Sequence, residues 1–437
     1  MMIDPVNAAL AAVALVALLL VAGAQIGVSL GLGGLAGMYL TIGPNGAAAQ
    51  LSTVPFGTTN SFTLAVIPLF ILMGSMATQA RLTTDLYAAA YNWFSRLPGG
   101  LAMTTTVASA AFGAASGSTI VNAAVFTRMA MPEMTALGYD RKLSAGCIAA
   151  SGTLAAMIPP SVLMVIYAII TEQSVGILLV SGLVPGLLTA AVFLVGIYII
   201  VRRNPALAPM PATAIPMAVK LRSLRNVWGI AFLFVLVIGG IYGGFFVPTY
   251  AGAVGAFGAF LIVVLKRRAQ RNVLAETLRD AVITTATIFT VLIGGMLFAR
   301  FLTYTGLVAS ISDHVLALGL PPVAYLGAFA ALFLFLGMFI EPIAIMIMTL
   351  PVMFPVMTAV GYDPVWLGVI SVKMAEISLI TPPVGLNVYV VRSASPVPLE
   401  LGEVFAGVLP FIFMEGFVLA LLIAFPSIVT FLPAMGG

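Results

Sequence analysis

The sequence predicts an all-α polytopic membrane protein made of two inverted structural repeats, each with a re-entrant hairpin and a broken helix. Three observations predict this fold class. Of the 437 residues, 62% are hydrophobic and only 7% are charged. Apolar runs of 15–25 residues lack the alternation that is typical of strands. Two long segments of the chain also repeat each other.

The low charge content excludes a soluble protein, because soluble domains carry about 25% charged residues. In a bilayer the backbone polar groups must be bonded internally, which leaves helices or a closed barrel, and the run lengths favour helices. The mean hydropathy of +1.17 agrees with this interpretation. The net charge of +4 comes largely from basic loops, so we expect the lipid bilayer, and no nucleic acid, as a partner.

The first 24 residues are apolar and contain no Lys or Arg. Secretory signals begin with a basic region, so this segment is interpreted as a first membrane helix. The single cysteine, Cys147, excludes an internal disulfide and is expected to be a small core residue.

Basic residues indicate the orientation of the chain. Ten of the 18 Lys and Arg lie within residues 202–225 and 266–279, which the positive-inside rule places in the cytoplasm. Two apolar runs, 227–246 and 250–265, lie between them and return the chain to the same side. The proline-rich segment 202–225 is the predicted boundary between the halves.

The chain is therefore divided into four predicted regions. They are N-terminal scaffold helices over 1–60, a first inverted repeat over 61–201, cytoplasmic linker loops with scaffold helices over 202–280, and a second inverted repeat over 281–437.

The repeat is clearest in two heptapeptides, MTALGYD at 134–140 and MTAVGYD at 357–363, which lie 223 residues apart. The same offset relates Pro159-Pro160 to Pro382-Pro383. Two matching features at one spacing indicate a duplicated unit. The heptapeptides themselves are expected to be polar turns at a membrane edge.

The order of crossings predicts that the two copies are inverted. A helix over 63–80 crosses, residues 99–130 form a hairpin that returns, and 142–170 crosses with a break at Pro159-Pro160. A helix over 177–201 then crosses again, so the number of crossings in a copy is odd. Inverted repeats with interrupted helices are typical of secondary transporters, whose sites lie where the broken helices meet.

Four polar stretches rich in Gly and Pro interrupt the apolar runs, at 114–122, 150–161, 337–342 and 376–387. Unwound backbone and neutral Ser, Thr and Asn oxygens suit Na⁺, and helix N-termini suit a carboxylate. The candidate substrate-binding residues are Ser116, Gly117, Ser118, Thr119, Asn122, Pro160, Pro383 and Asn387. The candidate Na⁺ ligands are Ser118, Asn122, Ser151 and Thr153 at one site, and Glu341, Ser378, Thr381 and Gly385 at the other.

Structural interpretations remain open for these residues. A single Ser or Thr in a membrane helix can serve close packing with its hydroxyl bonded to the backbone, and a Pro pair can be an ordinary kink. Glu341 is either a site residue or a cap of the hairpin tip. Lys373 and Glu376 are expected to pair with each other, and Arg300 is expected to be structural.

The strings GAASGST, MPEMTALGYDRKLSAG, ASGTLAAMIPPS and ITPPVGLNVYV resemble the large membrane subunit of tripartite ATP-independent periplasmic (TRAP) transporters. The resemblance covers nearly the whole chain. It implies Na⁺-driven uptake of an organic acid delivered by a periplasmic binding protein, across the inner membrane of a bacterium or archaeon. It also implies a four-helix small membrane subunit, expected as a separate chain, and an elevator-type transport domain moving on a scaffold. Hairpin one would then lie near 97–130 and hairpin two near 320–355.

Other functions fit the sequence less well. A stand-alone Na⁺/dicarboxylate or citrate symporter shares the architecture and is the main alternative. A passive channel gains little from inverted broken helices. An intramembrane protease would need a GxGD motif, which is absent, or the only histidine, His314. No G-x-x-x-x-G-K-[ST] motif occurs, so no use of ATP is expected. The particular acid stays open.

Overall fold

The computed structural model describes residues 4–210, 215–268 and 270–435, and these described residues form helices and no strands. The first predicted region contains α1 (Pro5–Val21) and α2 (Ile26–Thr59). Residues 1–3, 211–214, 269 and 436–437, which fall within the first, third and fourth predicted regions, lie outside the described residues.

The helices of the first repeat are α3 (Val66–Gln79), α4 (Leu82–Phe94), α5 (Gly100–Ser116), α6 (Thr119–Ala136), α7 (Arg141–Met157), α8 (Val162–Ile170), α9 (Val175–Ser181) and α10 (Leu183–Arg203). The linker region contains α11 (Met217–Leu224), α12 (Trp228–Phe234), α13 (Gly240–Tyr242) and α14 (Pro248–Leu265). The helices of the second repeat are α15 (Arg271–Tyr304), α16 (Leu307–Ala317), α17 (Pro322–Gly337), α18 (Pro342–Ala359), α19 (Pro364–Ile380), α20 (Leu386–Ala394), α21 (Leu401–Ala424) and α22 (Ser427–Met435).

The described residues include seven helices long and apolar enough to span a membrane, or up to nine spans if each bent helix pair is one. One bent pair is α7 and α8, which meet at 45°. Residues 99–130 form an antiparallel pair, α5 and α6, joined at Gly117 and Ser118. The predicted hairpin and broken helix are therefore confirmed.

The second repeat contains the same elements in the same order. Its hairpin, α17 and α18, and its broken helix, α19 and α20, follow the first set at an offset close to 223 residues. The crossings between the copies also agree with the prediction, since α10 ends at Arg202 and Arg203 and two spans precede the basic start of α15. The inverted-repeat, all-helical fold is confirmed.

The two heptapeptides form matching turns. Gly138 and Gly361 have φ values of 76° and 97° and end α6 and α18. Asp140 and Asp363 then cap α7 and α19, accepting hydrogen bonds from the backbone N–H groups three residues later at 2.9 and 2.8 Å. A glycine with positive φ followed by an aspartate cap ends one helix and starts the next. The prediction that these strings are polar turns is confirmed.

The helices absent from the predicted elements include α4, α16 and the short α11, which lies in the segment 202–225 that was predicted as a loop. α4 and α16 lie between the first span and the hairpin of each repeat, and α4 is bent by 62° from α3. Their sequences are short or mixed in polarity, so a search for long apolar runs passes over them. They also correspond to each other at nearly the same offset as the other repeated helices.

The two broken helices lie at the centre of the molecule. Every residue from Leu143 to Met157 and from Trp366 to Ile380 is buried. On the outside, α2 packs along α15 and α14 packs along α3. A core of hairpins and broken helices is thus flanked by α2, α3, α14 and α15.

Candidate functional site

The tip of the first hairpin lies directly over the break in α7 and α8. Gly117 has a φ of 59°, and a Cβ added to it would lie 2.6 Å from the Pro160 carbonyl oxygen. Ser118 caps α6, and its hydroxyl accepts the N–H of Val121 at 3.4 Å. Only glycine combines the required φ with the small volume of this contact.

The hairpin arms contact the broken helices at corresponding places in both repeats. In the first, a Cβ on Gly113 of α5 would lie 2.9 Å from the Ala155 Cα of α7. In the second, a Cβ on Gly337 of α17 would collide with the Ser378 side chain of α19. Small residues let each hairpin arm approach the helix that ends at its break.

The two hairpin tips share one cavity of about 280 Å³. Three helices begin at its wall, α6 at Ser118, α8 after Ser161 and α18 at Glu341. Ile283, Thr284, Thr287 and Ile288 of α15 form another part of the wall. The positive dipole ends of these helices suit an anion. The Ser118 and Ser161 hydroxyls already accept one N–H each, Pro342 has no N–H, and the Glu341 carboxylate adds a negative charge that suits a cation.

The predicted substrate-binding residues separate into three groups. Gly117, Ser118 and Thr119 line the cavity. Ser116, Asn122 and Pro160 are buried just behind the first tip. Pro383 and Asn387 do not line the cavity: Pro383 is exposed, and Asn387 is buried against α7, where its amide donates to the Ala149 carbonyl at 3.2 Å.

Two buried amide oxygens among the predicted residues have no hydrogen-bond partner. Asn122 donates through its amide nitrogen to the Ser109 carbonyl at 3.0 Å, which leaves its Oδ1 unpartnered. Asn387 Oδ1 and Ser116 Oγ are also buried without a partner. Buried polar atoms are nearly always bonded, so these three oxygens fit the neutral donor set that a hard cation such as Na⁺ prefers.

Other predicted ligands use their hydroxyls within the protein. Ser151 bonds to Thr106 Oγ1 at 2.9 Å, and Thr153 donates to the Ala150 carbonyl at 2.7 Å. Ser378 and Thr381 donate to carbonyls of their own helix at 2.7 and 2.6 Å. These hydroxyls therefore show the close-packing pattern that was the alternative interpretation, although a hydroxyl oxygen that donates one bond can still accept a cation.

The remaining predicted ligands lie at the second hairpin and break. Glu341 caps α18 through its backbone without a side-chain cap bond, is half-buried, and is the one charged residue among those found to line the cavity. Gly385 starts α20 with a φ of 56°. In the described part of the chain, no group of three or more His, Cys, Asp or Glu could hold a metal ion.

A buried ion cluster lies beside the breaks. Lys373 pairs with Glu376 at 2.8 Å between Nζ and Oε2, which confirms the predicted pair. Lys373 also pairs with Glu415 of α21 and donates to Thr189 Oγ1 of α10 at 2.8 Å. Thr153 Oγ1 of α7, which donates to the Ala150 carbonyl, lies 3.3 Å from Glu415 Oε1. The cluster therefore joins α7, α10, α19 and α21.

Glu415 and the α15 threonines were not identified from the sequence. Glu415 interrupts the apolar string FIFMEGFVLALL, and an acid within a membrane span is by itself a pointer to function. Thr284 and Thr287 give no such signal, because they come from another part of the chain and meet the cavity only in the fold. Arg300, expected to be structural, donates to Gln50 Oε1 at 2.9 Å.

Comparison with known proteins shows the family to which this chain belongs. Residues 13–428 match the family described as tripartite ATP-independent periplasmic transporter, DctM component. The chain belongs to this family. The match confirms the resemblance noted in the sequence to the TRAP large membrane subunit.

Relatives of similar length support this assignment. The chain is 37% identical over 409 residues to the C4-dicarboxylate TRAP transporter large permease protein DctM of Pseudomonas aeruginosa, covering 93% of this chain and 92% of the relative. It is 31% identical over 420 residues to the sialic acid TRAP transporter large permease protein SiaM of Vibrio cholerae, covering 95% and 96%. These TRAP relatives are permeases, so the chain is a transporter subunit and not an enzyme, and the protease and channel alternatives are set aside.

A solved structure shares the fold. The crystal structure of the YdaH transporter of Alcanivorax borkumensis superposes with a TM-score of 0.59 at 17% identity, covering 89% of this chain and 91% of that one. At this identity the likeness concerns the fold alone.

Proposed function

We propose that this TRAP subunit carries out Na⁺-coupled secondary uptake of an organic acid. The single observation that carries the proposal is the cavity between the hairpin tips, where three helix N-termini meet close to buried oxygens that lack partners. The N-termini would bind the carboxylate, and the oxygens would bind the cation. A cation and an anion held together reduce the cost of moving either one through lipid.

The first Na⁺ would bind behind hairpin one, at Asn122 and the backbone around Ser118 and Ser116. The second would bind near Asn387, at the break that includes Thr381 and Gly385, or at the Glu341 carboxylate on the tip of hairpin two. Binding would order the tips so that the substrate then enters between them. Each net positive charge carried inward gains about 2.3 kcal/mol per 100 mV.

The movement proposed is an elevator. The hairpins and broken helices would move as a body against α2, α3, α14 and α15. The wall formed by Thr284 and Thr287 would then belong to the fixed side. The substrate would lose its contacts with these two hydroxyls during the movement. The residues that determine substrate affinity should therefore belong mainly to the moving hairpins and broken helices.

The partners proposed are a four-helix small membrane subunit and a binding protein outside the inner membrane. The named relatives transport a C4-dicarboxylate and sialic acid, and both compounds carry at least one carboxylate. We therefore propose a carboxylate substrate, with the choice of acid set largely by the binding protein.

Reconstitution tests the proposal. Proteoliposomes that contain this subunit and its small membrane subunit should accumulate a carboxylate only with an inward Na⁺ gradient and loaded binding protein. Uptake should increase with a negative interior potential. Uptake that ignores Na⁺ and voltage would contradict the mechanism. Full uptake with free substrate and no binding protein would favour a stand-alone symporter.

A further inference from the structure

Two adjoining cavities form an apolar crevice between hairpin one and the linker region. The outer cavity, of about 560 Å³, lies between α4, α5 and the junction of α11 and α12. The inner cavity, of about 640 Å³, lies between α5, α10 and α12. Leu86, Val107 and Val227 line both cavities, and every residue found to line either one is Ala, Val, Leu, Ile, Phe or Trp. Such walls suit a hydrocarbon chain.

The crevice runs from the cytoplasmic ends of its helices towards the break in α7 and α8. Trp93, Leu97 and Leu224 line its outer end, beside the basic segment 202–225 that the positive-inside rule places in the cytoplasm. Ile158, which ends α7 at the break, lines its inner end. The crevice therefore extends from one membrane surface towards the middle of the protein, as an acyl chain does within its leaflet.

Basic side chains lie at the outer end of the crevice, which is called its mouth here. Lys220 Nζ lies 5.8 Å from the centre of the Trp93 ring. Arg96 and Arg225 are exposed, and each is next in sequence to a residue that lines the outer cavity. In the part of the chain that the structure describes, the ion pairs involve none of these three basic residues. The segment 202–225 also contains no Asp or Glu, so the mouth offers its positive charge to an anion.

The short helix α11 indicates that the mouth lies at the membrane surface. This helix packs against α4 and contains Lys220 and Arg222. Its apolar residues Met217, Val219 and Leu221 are exposed. A helix that combines exposed apolar side chains with Lys and Arg is typical of the boundary between lipid headgroups and acyl chains. The basic residues are therefore expected at the level of the headgroups.

We propose that the crevice binds one anionic phospholipid from the cytoplasmic leaflet. The basic side chains at the mouth would bind the phosphate, and one acyl chain would fill the crevice. A free phosphate fits less well because it leaves the apolar walls uncovered. A zwitterionic lipid fits less well because its headgroup carries a positive charge that the mouth repels.

The position of this lipid gives it a consequence for movement. One wall of the crevice belongs to hairpin one, and another belongs to α12, which packs against α14. In the elevator proposed above, hairpin one moves and α14 is fixed, so the acyl chain would form part of the sliding surface. This consequence rests on the proposed function, whereas the binding of the lipid does not.

Native mass spectrometry of the purified subunit in detergent measures lipid binding directly. We expect phosphatidylglycerol to bind about tenfold more tightly than phosphatidylcholine, because two basic side chains near an anionic headgroup contribute at least this much. Lys220→Gln with Arg225→Gln should remove this preference. Arg271→Gln with Arg279→Gln is the matched control and should retain it, since it removes the same charge from exposed positions of α15.

A second pair of variants tests the position of the acyl chain. Ala191 of α10 lines the inner cavity and is exposed. Ala191→Phe should therefore fill the crevice and weaken the binding of phosphatidylglycerol. Val195→Phe is the control, because Val195 is exposed on the same helix and is not among the residues found to line the cavity. This variant should bind the lipid as the wild-type subunit does.

Four outcomes would overturn the proposal. They are equal binding of the two lipids by the wild-type subunit, equal effects of a variant and its control, displacement of the lipid by an equal concentration of glycerol phosphate, and loss of the lipid when the small membrane subunit is added. The third would indicate a phosphate site without an acyl chain, and the fourth would assign the crevice to the small membrane subunit. The wild-type measurements decide the question if a variant fails to fold. Because the assay involves neither Na⁺ nor transport, its outcome is independent of the function proposed above.

Discussion

Gly117 illustrates how one residue fixes the site. Its positive φ allows the two-residue turn between α5 and α6. Because it has no side chain, the tip can pack so closely on Pro160 that an added Cβ would lie 2.6 Å from the Pro160 carbonyl oxygen. The same glycine therefore forms the turn and seats the tip on the break. The sequence indicated the turn through GAASGST, but the contact with Pro160 could be seen only in the fold.

We predict that Gly117→Ala impairs cation binding more than strain alone would. Alanine at positive φ costs about 1 kcal/mol, and here the added Cβ would also push the tip away from Pro160. The stabilisation of the protein by Na⁺, measured as the shift in thermal unfolding between Na⁺ and choline buffers, should be largely lost. Gly361→Ala is the control, since its φ is 97° but nothing lies within 4 Å of an added Cβ. Equal loss in both variants would show that strain, and not the tip contact, matters.

Substitution of Asn122 tests the proposed first cation site. Its Oδ1 is buried without a partner, while its amide nitrogen is held by Ser109. We predict that Asn122→Ala lowers the apparent Na⁺ affinity about tenfold or more, by analogy with the effect of lesser changes around metal sites. Calorimetric or thermal-shift titration with Na⁺ would measure this. Asn204→Ala, at an exposed helix end, should leave the affinity unchanged, and an unchanged affinity in Asn122→Ala would exclude this ligand.

The sequence identified the polar stretches of the site, but it did not show which residues within them face the break. Ser118 and Asn122 lie in a polar interruption; in the structure Ser118 lines the cavity and Asn122 Oδ1 is buried without a partner. Ser151 lies in an equally polar stretch, yet its hydroxyl bonds to Thr106. The rotation of a helix about its axis decides which side chains face the break. This rotation cannot be read from a stretch in which most residues are small and buried, because no single face is then more polar than the others.

Close helix packing decides the arrangement of elements around the broken helices. A Cβ on Gly146 of α7 would collide with the Gly407 backbone of α21, and one on Gly407 would collide with the Lys142 carbonyl. This approach brings Glu415 to Lys373 and Thr153. At the level of elements, the repeat allowed the hairpins and broken helices to be predicted, whereas α4 and α16 were missed because they are not long apolar runs.

We predict that Gly407→Ala destabilises the subunit by roughly 1–3 kcal/mol, because overpacking forces the two backbones apart. Gly402→Ala on the same helix is the matched control. Its added Cβ would meet nothing within 4 Å, so this change should be neutral or slightly stabilising. Thermal unfolding in detergent, followed by intrinsic fluorescence, would compare them. A similar effect in both variants would show that general helix propensity outweighs the close contact.

At the scale of the whole molecule, the repeat places two hairpins and two breaks around one centre. On the cavity side, α3 contributes Ile71 to the wall and α15 contributes four residues. The residues of one repeat cannot form the cavity alone, since its wall takes residues from both hairpins and from α15. The sequence predicted the symmetry because duplicated turns keep their spacing. It could not predict the wall of α15, which depends on packing between distant segments.

The elevator proposal predicts that a bond between α15 and the second hairpin stops transport. Gly295 of α15 and Ile347 of α18 are in contact, and neither is among the residues found to line the cavity. In a Cys147→Ala background, Gly295→Cys with Ile347→Cys should transport when reduced and stop after cross-linking by Hg²⁺. Excess dithiol should restore uptake in the same proteoliposomes. Because the cavity stays open, the loss would report blocked movement and not a blocked site.

The control pair for this experiment lies within the long outer helices. A Cβ on Gly31 of α2 would lie 3.9 Å from Leu297 Cδ1 of α15, and an elevator keeps both helices on the fixed side. Gly31→Cys with Leu297→Cys should therefore cross-link without loss of uptake. Continued transport by the cross-linked Gly295 and Ile347 pair would mean that α18 does not move along α15. The site would then have to open by movement of the hairpin tips alone, which is a gate and not an elevator.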